Sequence, residues 1–244
     1  MERIPNPEMD RRLLDHLSTK YKLKHKREGI HLSTLVTCIT KGWLDHSIGV
    51  EPTDSEIMLF STGVGLQDEL TPPDAEAPIF MVDGITFRPD FYFPISNTHV
   101  EFKSTRASLK KNKVQLPQAW IDYIMGGCYM RKVTTYELSA LHLMGSYAPP
   151  FPEIYSETLV FEQAELDEFW KVIIRRRDEY QHALEVDKPP TPFLYCKEWE
   201  CKNCRHKLVC DTIAAAEAKE DIDPYAGADS TDVVDKKEED SVRD

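Results

Sequence analysis

The chain has 244 residues, 41% of them hydrophobic, which is enough for one domain with a substantial core. No run approaches the ~20 consecutive apolar residues of a membrane span, and the first residues lack the apolar centre of a secretion signal, so a cytoplasmic, reducing setting is expected. The formal charge of −12 would argue against a nucleic-acid partner if it were spread evenly, but residues 217–244 hold eleven acids and four bases, a net of −7, and leave only −5 on the body.

In chain order, residues 9–27 read as an amphipathic basic helix bearing Lys20, Lys22, Lys24, Lys26 and Arg27. After His31-Leu32, Ser33 is placed to cap a short apolar helix reaching Trp43, and Asp54 or Ser55 opens another running to about Leu70. Thr71-Pro72-Pro73-Asp74 breaks the chain. Three strands follow, at 79–82, 85–93 and 99–104, the first two joined by the hairpin dipeptide Asp83-Gly84 and the last two by a turn at 94–97. Pro117 suits the first turn of a helix with Trp120, Ile121, Ile124 and Cys128 along one stripe. Strands at 134–143 and 154–161 and a long helix at 162–184 complete the pattern, and the proline-rich stretch 188–192 leads to a cysteine-rich end. From about Ala216 the chain is acidic and poor in large apolar residues, which reads as a disordered tail at 216–244. The order implies an α/β (α+β) fold with its sheet in the middle and a single domain over 1–215.

The chemistry-bearing pattern is Pro89-Asp90 followed by Glu101-Phe102-Lys103. Side chains alternate along a strand, so Glu101 and Lys103 share a face while Val100 and Phe102 take the other. Asp90, on the neighbouring strand, brings a second carboxylate to the same place. Two hard oxygen ligands suit Mg²⁺ or Mn²⁺, the Phe102 carbonyl offers a third, and Lys103 is placed to orient a water or to balance charge in a phosphodiester hydrolysis. Glu-x-Lys alone is common on exposed strands; the Pro-Asp on an adjacent strand gives it meaning. Basic residues nearby, Arg106, Lys110, Lys111 and Lys113, together with Lys22, Lys24, Lys26 and Arg27, are candidate phosphate contacts. Such clusters, Arg175-Arg176-Arg177 included, read equally well as solvated helix faces.

Four of six cysteines fall near the end, and Cys201-x2-Cys204-x5-Cys210 is suited to zinc or iron–sulfur ligation. The spacing leaves the fourth ligand open between Cys196, which would complete a local zinc module, and Cys38.

The Pro89-Asp90 and Glu101-Phe102-Lys103 pattern resembles the PD-(D/E)XK nuclease superfamily. With an early Ser33-x-Leu35-x-x-Cys38, a late Cys201, Cys204 and Cys210, and Trp199 two residues before Cys201, the chain is similar to the CRISPR-associated iron–sulfur exonucleases from about Leu32 to Cys210. The resemblance implies a restriction-endonuclease-like mixed sheet flanked by helices. It implies a [4Fe–4S] cluster on Cys38, Cys201, Cys204 and Cys210, held by segments 31–45 and 195–212 and joining the first helices to the end of the chain. It further implies a DNA exonuclease preferring single strands, of 5′→3′ polarity. No G-x-x-x-x-G-K-[ST] motif is present, so a helicase, integrase or recombination partner would be a separate protein. Where the family carries a metal-binding histidine this chain has Gln67, and where it carries a Gln and a Tyr four residues apart, Gln118 and Tyr123 stand five apart, about 140° rather than about 40° on an ideal helix. Core packing is the plain alternative for Tyr123. The competing reading of the whole is a catalytically weak or inactive nuclease fold that binds DNA or protein, with zinc in place of iron–sulfur.

Overall fold

The computed structural model describes residues 5–24, 29–49, 51–72, 75, 77–106, 116–143, 152–191, 196, 198–202 and 204–220. The chain begins with α1 (Pro7–Lys24), β1 (Ile30–His31), α2 (Leu32–Leu35), α3 (Ile39–Ser47) and α4 (Asp54–Leu70). Four strands follow, β2 (Phe80–Val82), β3 (Ile85–Phe87), β4 (Phe91–Phe93) and β5 (Thr98–Thr105). Then come α5 (Gln118–Arg131), β6 (Thr135–His142), β7 (Glu153–Val160), α6 (Gln163–Glu185), α7 (Glu198–Lys202) and α8 (Lys207–Glu220). The result is a mixed α/β fold with mixed sheets flanked by helices, and no described helix is long and apolar enough to cross a membrane.

The expected single sheet is two. A three-stranded sheet has the order β1-β3-β2 and a four-stranded sheet the order β4-β5-β6-β7, with β5 and β6 parallel and the outer pairs antiparallel. The strand expected over 85–93 divides into β3 and β4 because Pro89 removes a ladder donor and restricts the residue before it. The Asp83-Gly84 hairpin is present: both residues have positive φ, 51° and 73°, as a two-residue turn between antiparallel strands requires.

The helix expected from Ser33 to Trp43 is also two, α2 and α3, parted at Val36–Cys38, and the side chain that caps α3 is Cys38, whose Sγ accepts from the Lys41 amide at 3.4 Å. Thr53 rather than Asp54 or Ser55 caps α4, in a full capping box with Glu56. α8 continues to Glu220, so the tail boundary expected at 216 falls within a helix, where Ala214, Ala215 and Ala216 favour that conformation.

The main core lies between the sheets and α2, α3, α5 and α6, with Leu32, Ile39, Phe87, Ile124, Leu138 and Ile173 fully buried. α5 crosses it closely: a Cβ on Gly127 would lie 2.6 Å from the Phe87 ring and one on Gly126 2.7 Å from Leu32, so the helix reaches this depth because both are glycine. A smaller cluster, Ala75, Phe91, Val100, Phe102 and Leu141, fills the other face of the second sheet. Arg176 and Arg177 serve packing, donating to the carbonyls of Leu35 at 2.8 Å and Asp83 at 2.7 Å.

Candidate active site

β4 and β5 pair with Phe91 opposite Val100, so continuing that register sets Asp90 opposite Glu101. Two carboxylates facing each other across a ladder repel, and the surrounding groups respond to that. Asp90 Oδ1 accepts from the Gln67 side-chain amide at 3.0 Å, and Oδ2 accepts from the Phe102 backbone N–H at 2.9 Å. The Lys103 ammonium donates to Glu101 Oε1. Glu101 Oε2 is buried and has no hydrogen bond of full geometry among the described residues, with the Asp90 carboxyl near enough to share a proton with Glu101. Val100 and Phe102 turn to the smaller apolar cluster, as strand alternation requires.

The electrostatics follow from burial. Desolvation, then the Asp90 charge, pushes the Glu101 carboxyl up to about 8 against the pull of Lys103. Burial also raises Asp90, although Lys103, the Phe102 N–H and Gln67 oppose it. Burial would lower Lys103, but the Glu101 and Asp90 carboxylates outweigh it and hold the ammonium above its ordinary value. The pocket therefore carries one more acidic group than its single cation balances. A divalent cation is the species that would let both carboxylates ionise, and the Glu101 oxygen without a full hydrogen bond fits it.

Tyr123 and Gln118 are placed differently. The Tyr123 hydroxyl donates to the Arg88 carbonyl at 3.2 Å and its ring centroid lies 5.4 Å from the Lys103 ammonium. The exposed Gln118 side chain donates along its own helix to Asp122 at 2.8 Å, away from the carboxylates. Sequence reasoning missed Tyr136, buried on β6, whose ring lies 5.2 Å from the Arg131 guanidinium. Burial first, then the Glu101 charge, raises its phenol. A tyrosine on a half-apolar strand carries no local sign of that neighbourhood.

The second constellation is made of sulfur. Cys38, Cys196, Cys201, Cys204 and Cys210 line one cavity of about 20 Å³, with Lys41, Glu200 and Lys207 at its border. Cys196 and Cys201 place their sulfurs 2.9 Å apart. Burial, then the Cys38, Cys204 and Cys201 charges, pushes Cys210 up to about 11, and burial raises Cys204 and Cys196. Cys196, Cys204 and Cys210 so packed favour the protonated form unless a cation takes the proton's place. The donor set fits a thiolate-bound centre, but the space as it stands holds about one water. Among the described residues no group of three or more His, Cys, Asp or Glu stands ready to hold a metal ion as arranged. The sixth cysteine, Cys128, is buried in the main core, where burial lifts its thiol to about 12.

Among the basic candidates, Arg106 lies at the end of β5 and borders an open groove of about 520 Å³ with Met58, Leu59, Ser104 and Thr105. Lys22 and Lys24 belong to α1. Lys26, Arg27, Lys110, Lys111 and Lys113 lie outside the described residues.

A mixed α/β domain with a carboxylate–lysine pocket where two strands part is the class that fold and site define. No family model and no curated protein matches the chain. The fold is shared with the crystal structure of SSO0001, at 16% identity and a TM-score of 0.51, over 83% of this chain and 96% of that one. Two exonucleases are more remote, both at 11% identity and a TM-score of 0.45. A phage-related exonuclease from Haemophilus somnus 129PT aligns over 66% of this chain and 96% of its own. An alkaline exonuclease from Laribacter hongkongensis aligns over 65% and 90%. Likeness at that distance does not bear on what this chain does.

Proposed function

We propose that the chain is a metal-dependent DNA exonuclease of the PD-(D/E)XK type, acting inside the cell. The observation that carries this reading is the convergence of Asp90, Lys103 and the buried Glu101 in one half-buried pocket with a Glu101 carboxylate oxygen lacking a well-formed hydrogen bond. Asp90 and Glu101 would hold Mg²⁺ or Mn²⁺, with the Phe102 carbonyl and Gln67 at the border of the site. When bound, such an ion polarises a phosphoryl group and lowers the pKa of a water.

The chain's own groups do the rest. Gln67 and the Phe102 N–H fix both Asp90 oxygens, so this carboxylate does not reorganise during the reaction. Lys103, held by Glu101 and flanked by the Tyr123 ring, positions the attacking water and balances charge on the phosphoryl oxygens. Tyr123 is a positioning residue through Lys103, and Gln118 has no part in this arrangement as it stands. Arg106, Lys22, Lys24, Lys26, Arg27, Lys110, Lys111 and Lys113 would follow the phosphate backbone.

Preference for single strands, 5′→3′ polarity and service to a separate helicase, integrase or recombination protein belong to this reading by resemblance, as does a [4Fe–4S] cluster on Cys38, Cys201, Cys204 and Cys210. The shared cavity supports Cys38 as a member of the sulfur set. The Cys196–Cys201 contact favours a second reading of that pocket, zinc on Cys196, Cys201, Cys204 and Cys210. Gln67, which donates to Asp90 where the family has a metal-binding histidine, favours a second reading of the first pocket, a module that binds without cutting.

Digestion of 5′- and 3′-labelled single- and double-stranded DNA with Mg²⁺ and with Mn²⁺ tests the proposal. Metal-dependent release of short products from single strands starting at the 5′ end is expected, and no cutting with either metal overturns it. For the sulfur pocket, anaerobically purified protein should be brown, Cys38→Ser should bleach it and Cys196→Ser should not. Colourless, zinc-loaded protein that loses zinc in Cys196→Ser would establish the local module.

A further inference from the structure

α4 is held lightly for a helix that serves a buried site. Of its seventeen residues, all described, only Ile57 is buried. It packs on α1 and β5, with Leu66 against the smaller apolar cluster, and polar bonds fix its two ends. Near the C-terminal end Gln67 donates to Asp90. Near the N-terminal end Glu56 closes the capping box, accepting from the Thr53 amide at 2.8 Å, and also accepts from Arg205 at 3.1 Å. Arg205 follows Cys204 in the sulfur loop, and its other arm donates to Asp45 on α3 at 2.6 Å. The buried His206 ring meets the same Asp45 oxygen at 2.6 Å. The Arg205 side chain is 13% exposed and its partners Asp45 and Glu56 34% and 21%, so this fork is half-buried and less screened than a surface pair.

We infer that Arg205 is a positioning residue: it ties the cysteine loop to α3 and α4 at once, and through α4 it sets Gln67 on Asp90. The inference rests on the metal-site reading above. Eleven residues of helix separate Glu56 from Gln67, about 16 Å at 1.5 Å per residue. Sites that far apart and without shared partners act independently. Coupling through a rigid helix makes them act as one.

A double-mutant cycle on the full chain, read by the Mn²⁺ dissociation constant from the electron spin resonance of free Mn²⁺, tests this. Arg205→Ala and Gln67→Ala should each weaken Mn²⁺ binding about tenfold, and the double variant should be no weaker than Gln67→Ala alone. Glu56→Ala approaches the same link from α4, leaves Arg205 on Asp45, and should give the same cycle with Gln67→Ala if Arg205→Ala fails to fold. Losses that multiply to about a hundredfold would mean two independent effects and would overturn the coupling. So would unchanged affinity in Arg205→Ala or Glu56→Ala. A wild type that binds no Mn²⁺ overturns the metal-site reading and this inference with it, whereas multiplying losses in a wild type that does bind overturn the coupling alone.

Discussion

The carboxylate pocket and the sulfur pocket solve opposite problems. The first sets two like charges face to face on neighbouring strands and gives them fixed partners: an ammonium, a backbone amide and a side-chain amide. The second packs five thiols from a helix cap, loop residues, α7 and the first turn of α8 chiefly against one another. Strands can hold the proposed oxygen ligands to the tolerance a reaction needs. In the proposed reading, soft sulfur from distant segments would close a long loop, which stabilises by restricting the unfolded chain. The difference teaches that damage to the first should cost activity more than stability, and damage to the second should cost stability before activity.

The sharpest way to break that contrast is Lys103→Ala. Metal-dependent cleavage should fall by about a thousandfold, the scale of losing a group that stabilises a transition state, with DNA binding and melting temperature nearly unchanged. A large fall in melting temperature would place Lys103 in the fold. With the proposed centre bound, Cys204→Ser should do the reverse, costing about 4 kcal/mol or more of stability, visible in urea unfolding, with residual cleavage in the fraction still folded.

The third test is pH. Folding raises the Glu101 carboxyl from an ordinary 4.5 to about 8. The folded state therefore binds the proton more tightly, and this contribution is full below the unfolded value and lost as pH rises through the folded one. Metal-free protein should lose stability between about pH 5 and about pH 8, by about 5 kcal/mol, and Glu101→Gln should flatten that slope. A slope that persists in the variant assigns it to another group. The smallest effects separate two neighbours on one helix. Tyr123→Phe loses the bond to the Arg88 carbonyl and should cost about 1 kcal/mol, whereas Gln118→Ala on the exposed face should stay within about 0.5 kcal/mol, both by thermal unfolding.

Much of the carboxylate pocket was legible because it is local. Alternation placed Glu101 and Lys103 on one face, and the turn at 94–97 brought Asp90 beside them, with Asn97 at a φ of 52° supplying its left-handed residue. The break at Pro89 was there to be read as well, since proline inside a strand is a warning. The apolar residues around it masked the signal. β1 is two residues long and gives no periodicity, so only its pairing with β3 defines it. Arg205 could not be read at all. Beside a cysteine it looks like one more surface charge, and its partners Asp45 and Glu56 lie 160 and 149 positions away.

The bond from the Phe102 amide to Asp90 has a further consequence. A strand that slips by one residue presents the wrong face along its whole length. Here a slip of β5 would remove the amide from Asp90 while sending Glu101 and Lys103 into the apolar layer. The contact that orients the carboxylate is thus also a proofreading mark for strand alignment. A misaligned chain keeps no partial version of the site, so fidelity of folding and competence for chemistry are checked by one bond.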